Sequence, residues 1–519
     1  MSLSSSPTSF GWKAGHPPTG LAAKRTHPPL FDALTATAHD LQKLLTAGEL
    51  KSTDLVEEYV WRIEEYNPYL RAVSQYAPGV LDQAKELDSK RAAGEVLGPL
   101  HGIPILLKNS ISTDASFGMD TTGGAVALIG AVSAKNAAVV DKLIEAGAVI
   151  LGKTSCSELN YYKGSGLLCG WSALDGQGQS PYVRGGVVDG DSIGGHSVPG
   201  GSSSGVSIAV SAGLAAGGVG SDTEGSIIAP AVRTSLYSIR PSLGIAPADG
   251  IIPLAHSFDT LGPIAKDVKD LADILSVIVD NKKTTVPSDG YSSALESTWT
   301  DCKVGTLSPD DWNFPDFLVK PVLEATVQIK EDTKARYGQI QKLAGAYHDS
   351  VDLPSVNVEL PGDIEVYLKN LTSSNVRSLQ ELVDWNTAHS EDALPPGASS
   401  QSLLVQSLNT KISPEDVAAL HDHRRKIAAN LDTTFKKYDI NIILGPGDSP
   451  ITQYAVANGY PAAALPLSYL DFNGRPIGLV ALVSGGQELH LLKFLKLYEQ
   501  TFPARRPPSA FLSESGAKL

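Results

Sequence analysis

The sequence predicts an α/β protein with a large and mostly internal sheet. Short apolar runs typical of buried strands alternate with amphipathic helical patterns, and no internal repeat interrupts this order. The hydrophobic content of 42% and the charged content of 19% are typical of a globular chain, and 519 residues suffice to bury a large core. The alternation therefore places the chain in the α/β class.

The N-terminal region is predicted to be an arm followed by scaffold helices. Residues 1–29 contain two Pro-Pro pairs among many Ser and Gly residues, which is typical of an extended arm. From Leu30 onward apolar residues recur at helical spacing. A second helix follows N-cap candidates at residues 52–54, and a third covers residues 77–94. We assign no chemistry to these helices.

The remaining elements are predicted from apolar runs and from helical periodicity. Core strands are expected at residues 103–107, 149–151, 258–264, 440–444, 462–469 and 476–483. Helices are expected at residues 136–147, 267–279, 319–337, 364–371, 415–438 and 487–498. Between about 280 and 440 the composition is more polar and irregular, so we expect this segment to shape a substrate pocket, and residues 506–519 are expected to form a C-terminal tail.

Charge and cysteine content exclude several classes of partner. The net charge of −14 argues against nucleic acid or an anionic membrane surface as a partner. The three cysteines, Cys156, Cys169 and Cys302, are odd in number and lack CxxC spacing, which argues against a disulfide framework or a zinc site. The first residues contain no apolar signal region. We therefore expect a cytoplasmic protein without a metal.

The stretch at residues 199–241 is the most informative part of the chain. It reads PGGSSSGVSIAVSAGLAAGGVGSDTEGSIIAPAVRTSLYSIRP, in which two serine-bearing Gly loops flank an apolar segment of small residues. Gly loops leave backbone N–H groups free to point at a ligand, and a serine beside such a loop is a candidate nucleophile. A close-packed helix between two turns explains the same composition, and both interpretations stay open at this point.

Two formal motif matches do not fit their surroundings. Residues 147–154, GAVILGKT, match a phosphate-binding loop, but residues 148–151 form a hydrophobic strand where that loop needs a flexed backbone. Residues 201–205 match G-x-S-x-G with Ser203 at the centre, but the polar segment before them is not the buried strand that a nucleophile elbow requires. We reject the first match and disfavour the second.

Ser226 and Lys108 have more suitable surroundings. The segment GSDTEG at residues 220–225 places a turn directly before Ser226, and successive N–H groups in such a turn can stabilise an oxyanion. Lys108 ends an apolar strand. It is either a solvated strand terminus or, if buried, an amine that loses its proton and acts as a base.

The order of motifs resembles that of the amidase signature hydrolases. The resemblance runs from about Gly98 to Ala265 and again from Gly445 to Glu499. The motifs that carry it are GPLHGIPILLKN, AGAVILGKTSCSEL, PGGSSSG, GSDTEGSI with the following Pro230, a degenerate SIRPS, and GYPAAALPL followed by GRPIGLVAL. The resemblance implies a large, mixed, twisted sheet covered by helices on both faces. It also implies a single amidase domain over residues 30–505 with the signature core at about 98–265.

The resemblance also implies a catalytic triad of the Ser–cis-Ser–Lys type. By motif position, Lys108 matches the family's lysine, Ser202 the bridging serine and Ser226 the nucleophile. The peptide bond before Ser202 is then expected to be cis. We expect Lys108 to be a neutral amine, with two serine hydroxyls nearby and no close carboxylate. The residues expected to bind the oxyanion or the substrate are Thr223, Glu224, Gly225 and Ser203.

The function that the resemblance implies is amide hydrolysis without a cofactor. A carboxamide would be cleaved to an acid and ammonia or an amine through a covalent acyl-enzyme. The alternatives are an inactive relative that binds an amide-bearing ligand and an esterase that uses the same serine. Small-molecule or peptide amides are the expected partners, without nucleic acid or membrane, and a homodimer is compatible with the sequence.

Three departures from the family's pattern concern the substrate. Glu224 stands where many members have glycine, Ile228 where many have arginine, and Asn109 where aspartate is usual. DTEGSI without a following arginine resembles a branch that includes peptide amidases. The acyl group and the leaving amine are therefore not specified by the motifs.

Overall fold

A computed structural model describes residues 28–311, 316, 318–353, 364–410 and 413–508. The strands, numbered β1 to β13 in chain order, are Val73–Tyr76, Pro104–Lys108, Val149–Thr154, Trp171–Ser172, Gly176–Gln177, Gly217–Asp222, Tyr237–Arg240, Thr260–Ala265, Lys303–Thr306, Ala346–His348, Ile442–Pro446, Ala462–Tyr469 and Pro476–Leu482. The first eight helices, α1 to α8, are Ala38–Ala47, Ser52–Leu70, Val80–Ala92, Ala138–Glu145, Glu158–Tyr161, Ser204–Ser211, Ile228–Val232 and Val268–Ile278. Helices α9 to α16 are Leu323–Gln341, Ile364–Lys369, Leu379–Ala388, Ser390–Ala393, Ser402–Asn409, Pro414–Lys437, Ile451–Asn458 and Glu488–Thr501.

One mixed sheet of 11 strands forms the centre of the described structure, in the order β1-β3-β2-β6-β8-β7-β12-β13-β11-β9-β10. Strand β2 pairs in parallel with both β3 and β6, whereas β6 and β8 pair antiparallel. Strands β4 and β5 form a separate two-stranded sheet. The predicted large mixed sheet is confirmed.

Both faces of the sheet are buried against helices. Along β12, Ala463 and Leu465 belong to one apolar cluster, while Ala462 and Ala464 belong to another. This alternation follows from the two-residue period of a strand. The first cluster contains residues of helices α1 to α4, α8 and α16, and the second contains residues of α7, α14 and α15. The predicted helices are therefore present on both faces of the sheet, and each face packs against them in a separate apolar core.

The predicted elements differ from the observed ones mainly at their ends. Helix α1 begins at Ala38, where Thr37 accepts a hydrogen bond from the amide of Asp40, although apolar spacing predicted a start near Leu30. Strand β3 continues through Thr154, which confirms that residues 147–154 are not a phosphate-binding loop. The glycine-rich strand β6 was missed, because its sequence, GGVGSD, lacks the β-branched pattern of an ordinary strand.

Parts of the predicted organisation lie outside the described residues. Residues 1–27 of the predicted arm and residues 509–519 of the predicted tail lie outside them. The domain boundaries therefore stay a prediction. None of the described helices has the length and apolar character needed to cross a membrane.

Candidate active site

Strands β2 and β6 bring Lys108 and Ser221 to the same edge of the sheet. The strands pair in parallel with Leu107 opposite Val219, so their carboxyl ends lie together. Both Lys108 and Ser221 are buried. The pairing of these strands therefore places a lysine and a serine in one buried site, although they are more than one hundred residues apart in the chain.

Lys108 is bound entirely by serine groups. Its Nζ lies 2.6 Å from Ser202 Oγ, and it donates to Ser221 Oγ at 2.9 Å and to the Ser221 carbonyl at 3.2 Å. The three contacts fit both protonation states, because an ammonium has three N–H donors and a neutral amine has two N–H donors and one lone pair. The lysine has no exposed surface. The structure thus excludes the solvated strand terminus that the sequence left open.

Burial lowers the pKa of Lys108 to about 8, because an ammonium ion loses its hydration at this site. The charges of Asp222 and Asp259 oppose this shift, although no carboxylate of the described residues forms a hydrogen bond or an ion pair with Lys108. Burial also raises the pKa of the nearby Cys156 thiol to about 12, so this cysteine stays neutral near pH 7. A large fraction of Lys108 is therefore unprotonated at mildly alkaline pH.

The loop before α6 holds Ser202 against Lys108. The Gly201–Ser202 peptide bond is cis, as the resemblance implied. The amide of Ser157 donates to the Ser202 carbonyl at 3.1 Å. Next along the chain, the Ser203 amide donates to the carbonyl of Ser226 at 2.9 Å. The loop is thus tied directly to the backbone of the predicted nucleophile.

Ser203 supports the site without lining it. Its hydroxyl donates to the Ser221 carbonyl at 3.1 Å, and the residue is fully buried. It is not among the described residues that line the cavity beside Ser226. The Ser203 hydroxyl is thus used inside the protein, and its predicted contact with the oxyanion or the substrate stays a prediction.

The turn before Ser226 is shaped by the carboxylate of Asp222. One oxygen accepts from the Gly225 amide at 2.9 Å and the other from the Ile227 amide at 2.6 Å. Arg240 pairs with the same carboxylate at 2.7 Å, and both side chains are fully buried. Gly225 has a φ of 87°, in the left-handed region that favours glycine. A buried ion pair thus fixes the conformation of this turn.

This arrangement bears on the expected oxyanion donors. The Gly225 amide donates to Asp222, and its part in an oxyanion site stays a prediction. In the part of the chain that the structure describes, the amides of Thr223 and Glu224 have no hydrogen-bond acceptor. The Thr223 hydroxyl donates to Asp259 at 2.5 Å, which orients this residue. Two of the three predicted amides therefore stay available.

A cavity of about 300 Å³ opens onto this turn. Thr223, Glu224, Gly225 and Ser226 form one part of its wall. Among its apolar wall residues are Tyr161, Ile193, Leu254, Leu318 and Val319. Ser202 and Lys108 are not among the described lining residues, so Ser226 is the member of the predicted triad that meets the cavity.

A buried cluster of charges supports the wall beside the cavity. Asp448 pairs with Arg233 at 3.0 Å and with Arg475 at 2.7 Å. Burial opposes ionisation of Asp448, but the two guanidinium groups outweigh it and hold the pKa of the carboxyl well below its usual range. Burial and Arg475 lower the pKa of His196 to about 4, so this histidine is neutral.

Arg233 in this cluster also fixes the segment that precedes the serine loop. It donates to the carbonyls of Gly194 and Gly195 at 2.7 Å each. The cluster therefore connects the residue after α7 to the loop that carries Ser202.

Sequence reasoning missed several supporting residues. Ser221 and Asp222 lie inside the motif GSDTEGSI, and Arg240 lies inside the degenerate SIRPS, so their motifs were recognised without their roles. Arg240 ends the short strand β7, YSIR, and a charged residue in a strand was the only available signal for a buried ion pair. Asn109, noted as a departure, donates to the Thr122 hydroxyl at 2.8 Å and so holds a neighbouring loop.

Comparison with known protein families gives one match that covers most of the chain. The sequence matches the family described as Amidase over residues 54–450. A probable amidase of Arabidopsis thaliana is 31% identical over 490 residues, which cover 92% of each chain.

Two solved amidase structures are also similar to this chain over most of its length. The peptide amidase of Stenotrophomonas maltophilia is 30% identical, with a TM-score of 0.77 over 92% of this chain and 99% of that one. An amidase family protein of Bacillus anthracis is 26% identical, with a TM-score of 0.79 over 92% of this chain and 93% of that one.

Proposed function

Since this chain belongs to the amidase family and hydrolyses amide C–N bonds, we propose that Ser226 attacks the carboxamide carbon of its substrate. The observation that carries this proposal is the fully buried Lys108, whose Nζ lies 2.6 Å from Ser202 Oγ. A desolvated lysine beside a serine hydroxyl is a base that can act near neutral pH. Ser226 lines the cavity, which supports its choice as the attacking serine.

The proton moves through Ser202 in this proposal. The lone pair of neutral Lys108 accepts the Ser202 proton while Ser202 Oγ takes the proton of Ser226. The oxygen of Ser226 then forms a bond to the carbonyl carbon. Ser221 supports this step, because its hydroxyl and carbonyl accept the two N–H groups of the neutral amine. Lys108 and Ser202 thus activate Ser226 without a histidine.

The carbonyl oxygen becomes negatively charged as the tetrahedral intermediate forms. The unbound amides of Thr223 and Glu224 are the donors that would stabilise this oxygen. When the C–N bond breaks, Ser202 returns its proton to the leaving nitrogen, and ammonia or an amine departs. Water then attacks the acyl-enzyme, gives its proton to the same relay, and releases the acid and Ser226.

The proposed substrates are terminal carboxamides of small molecules or peptides rather than internal peptide bonds. The likeness to the Stenotrophomonas maltophilia peptide amidase supports this class. The apolar residues among the cavity walls fit an apolar acyl group. The proposal includes neither a nucleic acid nor a membrane as a partner, because the chain carries a net charge of −14.

The test compares Ser226→Ala with Ser203→Ala on primary carboxamides, peptide amides and aryl esters. We expect Ser226→Ala to abolish turnover of every substrate, whereas Ser203→Ala only lowers it, since Ser203 supports the loop. Turnover that survives in Ser226→Ala but disappears in Ser203→Ala would identify Ser203 as the nucleophile. Aryl ester turnover without any amide turnover in the wild type would favour an esterase.

A further inference from the structure

Glu224 differs from the other charged groups in the described cavity wall. Arg233 and Asp448 also line the cavity, but they pair with each other, and Arg233 donates further to backbone carbonyls. Glu224 has a side-chain hydrogen bond to Gln453, a neutral residue of the same wall. Its carboxyl is therefore the one charged group of that wall whose polar partner carries no charge.

The cation that acts on Glu224 is Arg240, and it is paired with another carboxylate. Arg240 favours ionisation of Glu224, but its guanidinium is bound to Asp222 at 2.7 Å. Burial raises the pKa of Glu224, and the charge of Asp222 acts in the same direction. Glu224 is nevertheless exposed on the cavity wall, so its carboxyl is accessible and has no cationic partner of its own among the described residues, and a cation or an N–H donor would be bound favourably there.

The chain also limits how far the backbone of Glu224 can be from the reaction centre. Glu224 and Ser226 are two residues apart, so their Cα atoms are separated by at most about 7 Å. Both residues line the same cavity. A group that contacts Glu224 therefore binds in the same cavity as the carbonyl that Ser226 attacks.

We infer that Glu224 selects substrates that carry an ammonium group or another N–H donor within about one residue of the scissile carboxamide. The inference rests on the proposed function of Ser226. The substrate class is cationic amides, such as aminoalkyl carboxamides or short peptide amides with a free amino group. Amides with a carboxylate at the same place are disfavoured, because two like charges would meet in the cavity.

The experiment measures kcat/KM for three amides of similar length at pH 8. Hexanamide is neutral, 5-aminopentanamide replaces its methyl end with an ammonium group, and glutaramate has a carboxylate there. For the wild type we expect the cationic amide to exceed the neutral one by about tenfold or more, which is typical of a hydrogen bond between charged groups. Glutaramate should be the poorest substrate of the three.

Two variants show whether Glu224 is the cause. Glu224→Gln keeps the size and removes the charge, so the ratio of cationic to neutral substrate should fall to within about twofold of one. Glu224→Asp keeps the charge and should retain a preference for the cation. The ratio is the readout, because it cancels any change that affects both substrates equally.

Failure of this inference differs from failure of the proposed nucleophile. A wild type that hydrolyses hexanamide as fast as 5-aminopentanamide, or hydrolyses neither, overturns the inference. An unchanged ratio in Glu224→Gln overturns it as well. Residual turnover in Ser226→Ala would instead refute the nucleophile, while the ratio and its dependence on Glu224 could still be measured.

Discussion

Replacing Asp222 with asparagine tests how the turn before Ser226 is built. The carboxylate accepts the amides of Gly225 and Ile227 and pairs with the fully buried Arg240. In Asp222→Asn one oxygen becomes an NH₂ group, which cannot accept from an amide. The variant therefore leaves one amide without an acceptor and the Arg240 cation without a counter-charge.

The expected loss of stability follows from these two changes. Breaking a buried ion pair by removing one partner costs about 3–5 kcal/mol, because the remaining charge stays buried. We expect the free energy of unfolding to fall by at least this amount, which is a large part of the 5–15 kcal/mol typical of folded proteins. A displacement of the turn by about 1 Å also lowers kcat by about 10²-fold.

The double variant Asp222→Asn/Arg240→Met separates the two effects. Removing the isolated cation should recover about 1 kcal/mol or more of stability, whereas kcat should stay low because an amide of the turn still lacks its acceptor. Urea denaturation followed by tryptophan fluorescence measures stability, and hydrolysis of a peptide amide measures kcat. A loss below about 1 kcal/mol in Asp222→Asn with normal kcat would refute this reasoning.

Three further predictions concern the base, a packed glycine and the buried charge cluster. Because the pKa of Lys108 is about 8, kcat/KM should rise with pH along a limb centred near that value. Lys108→Arg should be nearly inactive at every pH, because guanidinium does not release its proton, and near-normal amide hydrolysis in this variant would make the lysine structural. A Cβ at Gly205 would lie 2.3 Å from the Ser155 carbonyl oxygen, so Gly205→Ala should lose about 1–3 kcal/mol in urea denaturation. Gly338→Ala in helix α9, where nothing lies within 4 Å of the added methyl, should instead gain up to about 1 kcal/mol, and equal effects would contradict the packing argument. Asp448→Asn should lower the free energy of unfolding by about 3–5 kcal/mol, since it leaves two arginines buried, and an unchanged thermal midpoint would contradict this.

The α/β class and most core elements could be predicted from sequence because their patterns are local. Strand β12 was predicted with its observed bounds, Ala462–Tyr469, because it is a continuous apolar run. Helix α8 was predicted within one residue at each end, because Asp267 caps it and its apolar residues share one face. Local patterns made Lys108 and Ser226 candidates, and the family motifs assigned their roles.

The rest of the site depends on contacts between distant segments. The contact of Lys108 with Ser221 arises from the pairing of β2 with β6, and β6 is too glycine-rich to be recognised as a strand. The capture of the Gly225 amide by Asp222 depends on the conformation of the turn, which the sequence GSDTEG does not specify. The burial of Ser203 likewise follows from how the serine loop packs on Ser221.

The central claim is that Ser226 is the residue that becomes acylated. The most direct measurement is labelling of the protein with a fluorophosphonate probe, followed by peptide mapping by mass spectrometry. We predict a single label on Ser226, lost in Ser226→Ala, retained in Ser203→Ala, and slowed in Lys108→Ala. A label on Ser203 or another residue, with unmodified Ser226 in fully inactivated enzyme, would contradict the account.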